Sequence, residues 1–245
     1  MSDLLEVKKL TKSYGKLIAL HEVSFRVAYG EIVGLIGPNG AGKTTLIGIL
    51  SGAIKPSAGM VAYCGRSILG LKSWRVGELG IVRTFQLVQP FLHLTACECV
   101  MLGNLFGAAD GRSVGIGAAR ERASALLAMV GLADKANTQA ELLNIPERKK
   151  LEIARAIAAR PKLLLLDEVM AGLSSNEIAE MVLLLQKLRG EGVSMIVIEH
   201  VMQAIRGLAD RVIVLHHGEK IVEGETETVL RDPRVVEAYL GYRRS

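Results

Sequence analysis

Residues 37 to 44, Gly37-Pro38-Asn39-Gly40-Ala41-Gly42-Lys43-Thr44, fit the pattern GxxxxGK[ST]. Glycines at these places let backbone N–H groups approach phosphate oxygens. Lys43 is spaced to reach β- and γ-phosphates, and the Thr44 hydroxyl to ligate Mg²⁺. A second constellation is the apolar run Leu163-Leu164-Leu165-Leu166, which ends in Asp167-Glu168. The carboxyl end of a parallel strand is where ligands sit in open α/β sheets. There Asp167 suits a Mg²⁺ shell, and Glu168 suits a base polarising an attacking water. Two single residues fit the same chemistry. Gln86 follows Arg83-Thr84-Phe85 and is placed to sense Mg²⁺ and the γ-phosphate, and His200 follows the run Met195–Ile198 and is placed to hydrogen-bond that phosphate. Together they describe a nucleoside triphosphate site.

The elements around these residues must hold them in place. Glu31–Ile36 reads as a strand entering the glycine turn, and Thr44–Leu50 as the helix leaving it, so the positive end of a helix dipole faces the bound anion. Residues 4–8 and 23–28 read as further strands, with Gly15 and Gly30 as breaks, and a second strand pair is expected near 60–63 and 79–84. From Thr95 to Ala159 the pattern is helical, clearest over Glu121–Val130 and Glu147–Ala159. The glycine-rich stretch 103–118 reads as a loop tip. Beyond 162 strands and helices alternate: Lys162–Leu166, Asn176–Arg189, Ser194–Ile198, Val201–Leu208 and Arg211–Leu215. His216-His217-Gly218 is a hairpin turn. The expected fold is α/β, a mostly parallel sheet covered by helices. One domain over 1–245 is expected, its core formed by 1–87 and 161–245 and interrupted by a helical insert over 88–160.

Composition narrows the function. Half of the 245 residues are apolar and 22% are charged, which excludes a disordered chain or a fibre. Three cysteines without a CxxC argue against a disulfide framework or a cysteine zinc site, and Cys97 and Cys99 read as packing. Mean hydropathy is +0.32, yet no apolar run approaches the ~18 residues of a bilayer span. The charged start MSDLLEVKKL does not read as a secretory signal. Net charge is +5, but aromatics are only 4% and the basic residues are scattered, so no nucleic-acid partner is expected. Trp74 is expected to be partly buried or to contact the insert.

With the motifs in this order, the chain resembles the ATP-binding subunits of ABC transporters over nearly its full length. The resemblance rests on residues 37–45 (Walker A, ending in Thr45), Gln86 (Q-loop), 163–168 (Walker B) and His200 (switch histidine). It also implies that Tyr14 stacks on adenine. GLIGPNGAGKTTL, RTFQ, LEIARAIA, LLLLDEVMAGL, IEHVMQAI and EAYLG further resemble the ATPases of branched-chain amino-acid importers. The resemblance implies a P-loop NTPase core with an N-terminal antiparallel β subdomain, and ATP and Mg²⁺ as ligands. It further implies integral-membrane permease subunits as partners, and a peripheral place on the cytoplasmic face of the inner membrane. The stretch QLVQPFLHL (86–94) is expected to meet the permease, with Phe91 and Leu92 on an exposed turn.

Two departures stand out. Leu143-Asn144-Ile145-Pro146-Glu147 occupies the place of the signature LSGGQ. Asn144 and Glu147 can form a capping box, but serine's hydroxyl, the glycine and an amide donor are gone. This favours a heterodimer in which a second, different ATPase subunit supplies an intact signature. Ala171-Gly172-Leu173-Ser174 likewise replaces the family's SALD, and Val169 its usual proline. Competing classes fare worse: a soluble ABC ATPase working on DNA or ribosomes would carry two cassettes or added modules. A small-molecule kinase or GTPase would leave Gln86 and His200 without a role.

Overall fold

The computed structural model describes residues 3–84, 91–106 and 115–240. The long strands β1 (Asp3–Tyr14) and β2 (Leu17–Ala28) form an antiparallel hairpin closed at Gly15. β3 (Ile32–Ile36) leaves that sheet for a second one and runs through the glycine turn into α1 (Lys43–Leu50). β4 (Ala58–Tyr63) and β5 (Arg66–Ser67) return to the first sheet, giving the order β2-β1-β4-β5. α2 (Ser73–Glu78) then leads to the short β6 (Ile81–Arg83). Three helices follow, α3 (Ala96–Phe106), α4 (Ile116–Met129) and α5 (Ile145–Ala158). The chain continues as β7 (Leu163–Asp167), α6 (Ser175–Gly190), β8 (Ser194–Ile198), α7 (Met202–Leu208), β9 (Arg211–His216) and β10 (Glu219–Glu225). It closes with α8 (Thr226–Leu230) and α9 (Pro233–Leu240).

The second sheet has the order β10-β9-β3-β8-β7-β6, parallel throughout except for β10 against β9. β3 and β8 are buried along their whole length, as strands covered on both faces must be. Alternation then assigns each face. Leu163 and Leu165 join Ile196 and Ile198 in the core beneath α1 and the hairpin. Leu164 and Leu166 join Met195 and Val197 in a second core against Ile178, Met181, Leu185 and Leu188 of α6. The three helices α3, α4 and α5 bury a cluster of their own that includes Cys97, Cys99, Leu127 and Leu151. This is the α/β architecture of a P-loop NTPase.

Several expectations change. The strands at 4–8 and 23–28 are each 12 residues long, because bulges at Lys9 and Glu22, both at positive φ, break the alternation that reveals a strand. Residues 60–63 and 79–84 do not pair. β4 hydrogen-bonds β1, while β6 joins the parallel sheet against β7. The expected loop 103–118 is cut short on both sides, since α3 runs to Phe106 and α4 starts at Ile116. Gly103 lies within α3, where its missing side chain lets α5 approach: a Cβ there would sit 2.4 Å from the Arg155 carbonyl oxygen. Phe91 is not on an exposed turn. It packs half-buried on the helical cluster, 5.7 Å beneath the Arg155 guanidinium, whereas residues 86–90 of the same stretch lie outside the described residues. Trp74 is exposed on α2 under its neighbour Arg75.

Candidate nucleotide site

The site grows from the carboxyl ends of β3 and β7. Two glycines in the turn after β3 are sterically fixed. At Gly37, φ is +148° and a Cβ would lie 2.1 Å from the Leu215 carbonyl oxygen; at Gly42, φ is +102° and a Cβ would lie 2.5 Å from that of Ala19. Gly42 is also the N-cap of α1, so Lys43, Thr44 and Thr45 begin the helix with amides free to meet an anion. Pro38, Asn39, Gly40 and Ala41 complete the turn, and Ala41 N–H closes it onto the Pro38 carbonyl at 3.2 Å. Lys43 is buried. Its ammonium donates to the carbonyls of Gly37 (2.7 Å) and Pro38 (3.0 Å), folded back over the loop. Burial lowers its pKa, while the nearby Glu168 and Asp167 act to raise it.

Across from this loop, Thr44, Asp167 and Glu168 line a cleft of about 510 Å³ with Arg83, Thr84, Lys149 and Ala171. Asp167 ends β7, and Glu168 follows it in a left-handed conformation, φ +52°, pinned by its N–H to the Ile198 carbonyl at 3.0 Å. That pin crosses to β8 and aims the Glu168 side chain at His200, whose Nε2 lies 3.0 Å from Oε1. Of the expected residues, Thr44, Asp167 and Glu168 thus share one cleft, His200 meets Glu168, and Lys43 lies in the adjoining turn. Gln86 lies outside the described residues. Tyr14 stands apart from the cleft's lining: it closes β1 opposite Leu17, with the whole of β2 between it and β3. The residue is 49% exposed, with the Lys12 ammonium 4.6 Å from the ring centre.

Four residues of the site were not anticipated. Arg83 donates to Asp167 Oδ2 at 2.7 Å, and the Thr84 hydroxyl accepts from Asp167 N–H at 3.4 Å. Lys149, on α5, donates to the Glu168 carbonyl at 3.4 Å and so ties the helical cluster to the cleft. Glu199 is buried, and its carboxylate accepts from Met170 N–H at 2.8 Å. Burial pushes its pKa up to about 7, against the backbone hydrogen bonds from Met170 and His200. The signals in the sequence were the place of Arg83 and Thr84 just before Gln86, the neighbourhood of Glu199 to His200, and the basic run Arg148-Lys149-Lys150.

At the head of α5 the capping box is complete. Asn144 Oδ1 accepts from Glu147 N–H, and Glu147 Oε2 from Asn144 N–H, both at 2.9 Å. Ile145 beside it is exposed. Ser174, in the stretch replacing SALD, is likewise spent as the N-cap of α6.

The sequence matches the family described as ABC transporter over residues 20–171, and the one described as branched-chain amino acid ATP-binding cassette transporter over residues 219–243. It is similar to the high-affinity branched-chain amino acid transport ATP-binding protein LivG of Salmonella typhimurium, 36% identical over 97% of this chain and 98% of that one. BraF of Pseudomonas aeruginosa, described in the same words, is also 36% identical with the same coverage of each chain. Among solved structures, an ATP-binding cassette of an ABC transporter in its ADP conformation superposes with a TM-score of 0.89 at 29% identity, covering 99% of this chain and 100% of that one. On sequence and on fold together, the chain belongs to the ABC transporter ATP-binding family.

Proposed function

We propose that this chain hydrolyses ATP to drive an importer for branched-chain or other hydrophobic amino acids, working from the cytoplasmic face of the membrane against separate permease subunits. The observation that carries the chemistry is the Glu168–His200 pair at 3.0 Å, set in one cleft with Thr44 and Asp167 beside the Lys43 loop. The solute class rests on the relatives and on the match over residues 219–243. Among the described residues no helix is long and apolar enough to cross a membrane.

In this reading Lys43 leaves the Gly37 and Pro38 carbonyls for the β- and γ-phosphates, while the amides from Gly40 to Thr45 cradle the same oxygens. Burial alone lowers the Lys43 pKa, and an anion beside the ammonium would restore the charged form. Tyr14 offers its exposed ring to adenine. Glu168 accepts the proton of the attacking water, and His200 orients Glu168 and meets the γ-phosphate. Thr44, Asp167 and Gln86 form an all-oxygen donor set of the kind Mg²⁺ takes together with phosphates, and the two described members line one cleft. Bound there, Mg²⁺ would neutralise charge on the phosphate oxygens. Residues 1–87 and 161–245 act as the nucleotide-binding core, with 88–160 as the insert that meets the permease.

The working dimer pairs this chain with a different ATPase subunit, because Asn144-Ile145-Pro146-Glu147 offers no serine or glycine to a facing nucleotide. Two variants test the reading. Lys43→Ala should weaken ATP binding, whereas Glu168→Gln should bind normally and lose about 10²–10⁴-fold in turnover. Ordinary turnover in Glu168→Gln would remove the assigned base. The same variant, alone with ATP and Mg²⁺, should remain monomeric by solution mass; a tight ATP-dependent homodimer would refute the heterodimer.

A further inference from the structure

The C-terminal helix reaches the nucleotide loop through one hydroxyl. Tyr239 Oη accepts a hydrogen bond from Gly37 N–H at 2.8 Å, joining residues 202 positions apart. Gly37 is the first residue of the phosphate-binding turn, and its carbonyl is where the Lys43 ammonium rests. Both ends of this glycine are thus engaged, its N–H by Tyr239 and its C=O by Lys43. Its Cα is also wedged, since there is no room for a Cβ against the Leu215 carbonyl.

The helix that carries Tyr239 is firmly placed. Val235, one turn earlier on the same face, is buried in a cluster with Ile36, Val212, Val214 and Val229, and Ile36 directly precedes Gly37. Asp232 braces the start of α9 by accepting from Arg234 N–H at 2.9 Å. Val235 therefore bolts α9 to the end of β3, and Tyr239 extends the same face to the loop beyond it.

We infer that Tyr239 is a positioning residue for ATP binding: its hydroxyl holds the Gly37 peptide still while Lys43 exchanges the Gly37 and Pro38 carbonyls for phosphate. The inference rests on the proposal that residues 37–45 bind ATP. Without the hydroxyl Gly37 is held only through its carbonyl and can follow Lys43, and part of the binding energy is spent on fixing the loop. The catalytic pair Glu168 and His200 is untouched, so the rate at saturation should stay. A hydrogen bond of this kind is a matter of about 2- to 10-fold in affinity.

The experiment is Tyr239→Phe in the full-length chain, which keeps the ring and removes one oxygen; ATP affinity and Gly37 exchange are read on the chain itself, KM and kcat on the chain assembled with its transporter partners. ATP affinity and KM should weaken about 2- to 10-fold while kcat stays within twofold, and the Gly37 amide should exchange with solvent faster. The urea midpoint of the ligand-free chain reports any general loss of fold, and it should fall by no more than one hydrogen bond accounts for. Wild-type KM and Gly37 exchange in Tyr239→Phe would overturn the inference, as would a fall in kcat at constant KM. A wild-type chain that fails to bind ATP would instead overturn the nucleotide-site proposal itself, and that is seen before the variant is made.

Discussion

Glu199 places an ionisable group in a site that excludes water, and its consequence for stability can be worked out. The side chain is 1% exposed, and burial is the largest influence on its pKa, which rises from 4.5 to about 7. The hydrogen bonds from Met170 and His200 N–H and the charge of Lys149 oppose the rise, and the carboxylate of Glu168 adds to it. A carboxyl whose folded pKa is raised binds more protons when folded than unfolded. Its contribution to stability is therefore fully present below about pH 4.5 and is lost as pH rises through 7. At 1.36 kcal/mol per pKa unit, the swing is roughly 3 kcal/mol. Glu199→Gln is neutral at every pH and keeps an oxygen for Met170 N–H, so it should not swing. Measured against wild type by urea unfolding of the ligand-free chain at pH 4.5, 6, 7 and 8, the variant should gain roughly 3 kcal/mol in relative stability from the lowest pH to the highest. In melting temperature that is about 6–12 °C for a chain of this size. Parallel curves, with a relative change under about 1 kcal/mol, would mean that Glu199 is ionised and comfortable, and the reasoning would fail.

Three further outcomes follow from the packing and the caps. Gly103→Ala puts a methyl 2.4 Å from a backbone carbonyl and 2.8 Å from Ala158 Cβ, so it should destabilise by about 1–3 kcal/mol despite alanine's better helix propensity; a thermal melt showing stabilisation would disprove the close α3–α5 contact. Asn144→Ala removes one half of the capping box and should cost about 1 kcal/mol by chemical denaturation, with no effect if the helix start is held elsewhere. Tyr14→Ala should weaken ATP binding by about 1–3 kcal/mol and Tyr14→Phe hardly at all, by analogy with base–aromatic stacking. Equal losses measured for both would point to the hydroxyl and away from stacking.

What the sequence revealed was local, and what it hid was not. The phosphate turn was legible because its glycines, lysine and threonine stand side by side between a strand and a helix. The all-leucine strand gave away β7 and both carboxylates at its end, and the Asn144–Glu147 spacing gave the start of α5. By contrast, Arg83 meets Asp167 across 84 positions, and no composition signal joins them. β6 finds its partner β7 only after the three helices have intervened, so adjacency suggested the wrong strand, β4. Tyr239 is the extreme case: it is one tyrosine in a closing amphipathic helix, and only the placement of Val235 beside Ile36 sends it to Gly37.

The start of α5 separates keeping a helix from keeping a nucleotide contact. Asn144 and Glu147 satisfy each other's N–H groups, so the helix begins as well as any with a capping box. The cost falls on whatever would face it. Pro146 has no N–H to give, Ile145 projects an exposed side chain where a glycine would let a phosphate approach, and Glu147 brings a carboxylate. At ~4 Å and an effective dielectric of ~20, two like unit charges repel by roughly 4 kcal/mol before screening, against ~0.3–2 kcal/mol offered by the helix dipole. Lys135, 3.9 Å from Glu147, offsets part of that charge, but it is a partly exposed ion pair of little strength. Facing itself, this chain would meet the repulsion and lose the hydroxyl and amide at both ATPs. Facing a subunit with serine and glycine in these places, it meets the repulsion at one only. In the proposed heterodimer the nucleotide on Lys43 would sit against the intact signature, and this chain would supply Lys43, Glu168 and His200 to the stronger of two unequal sites.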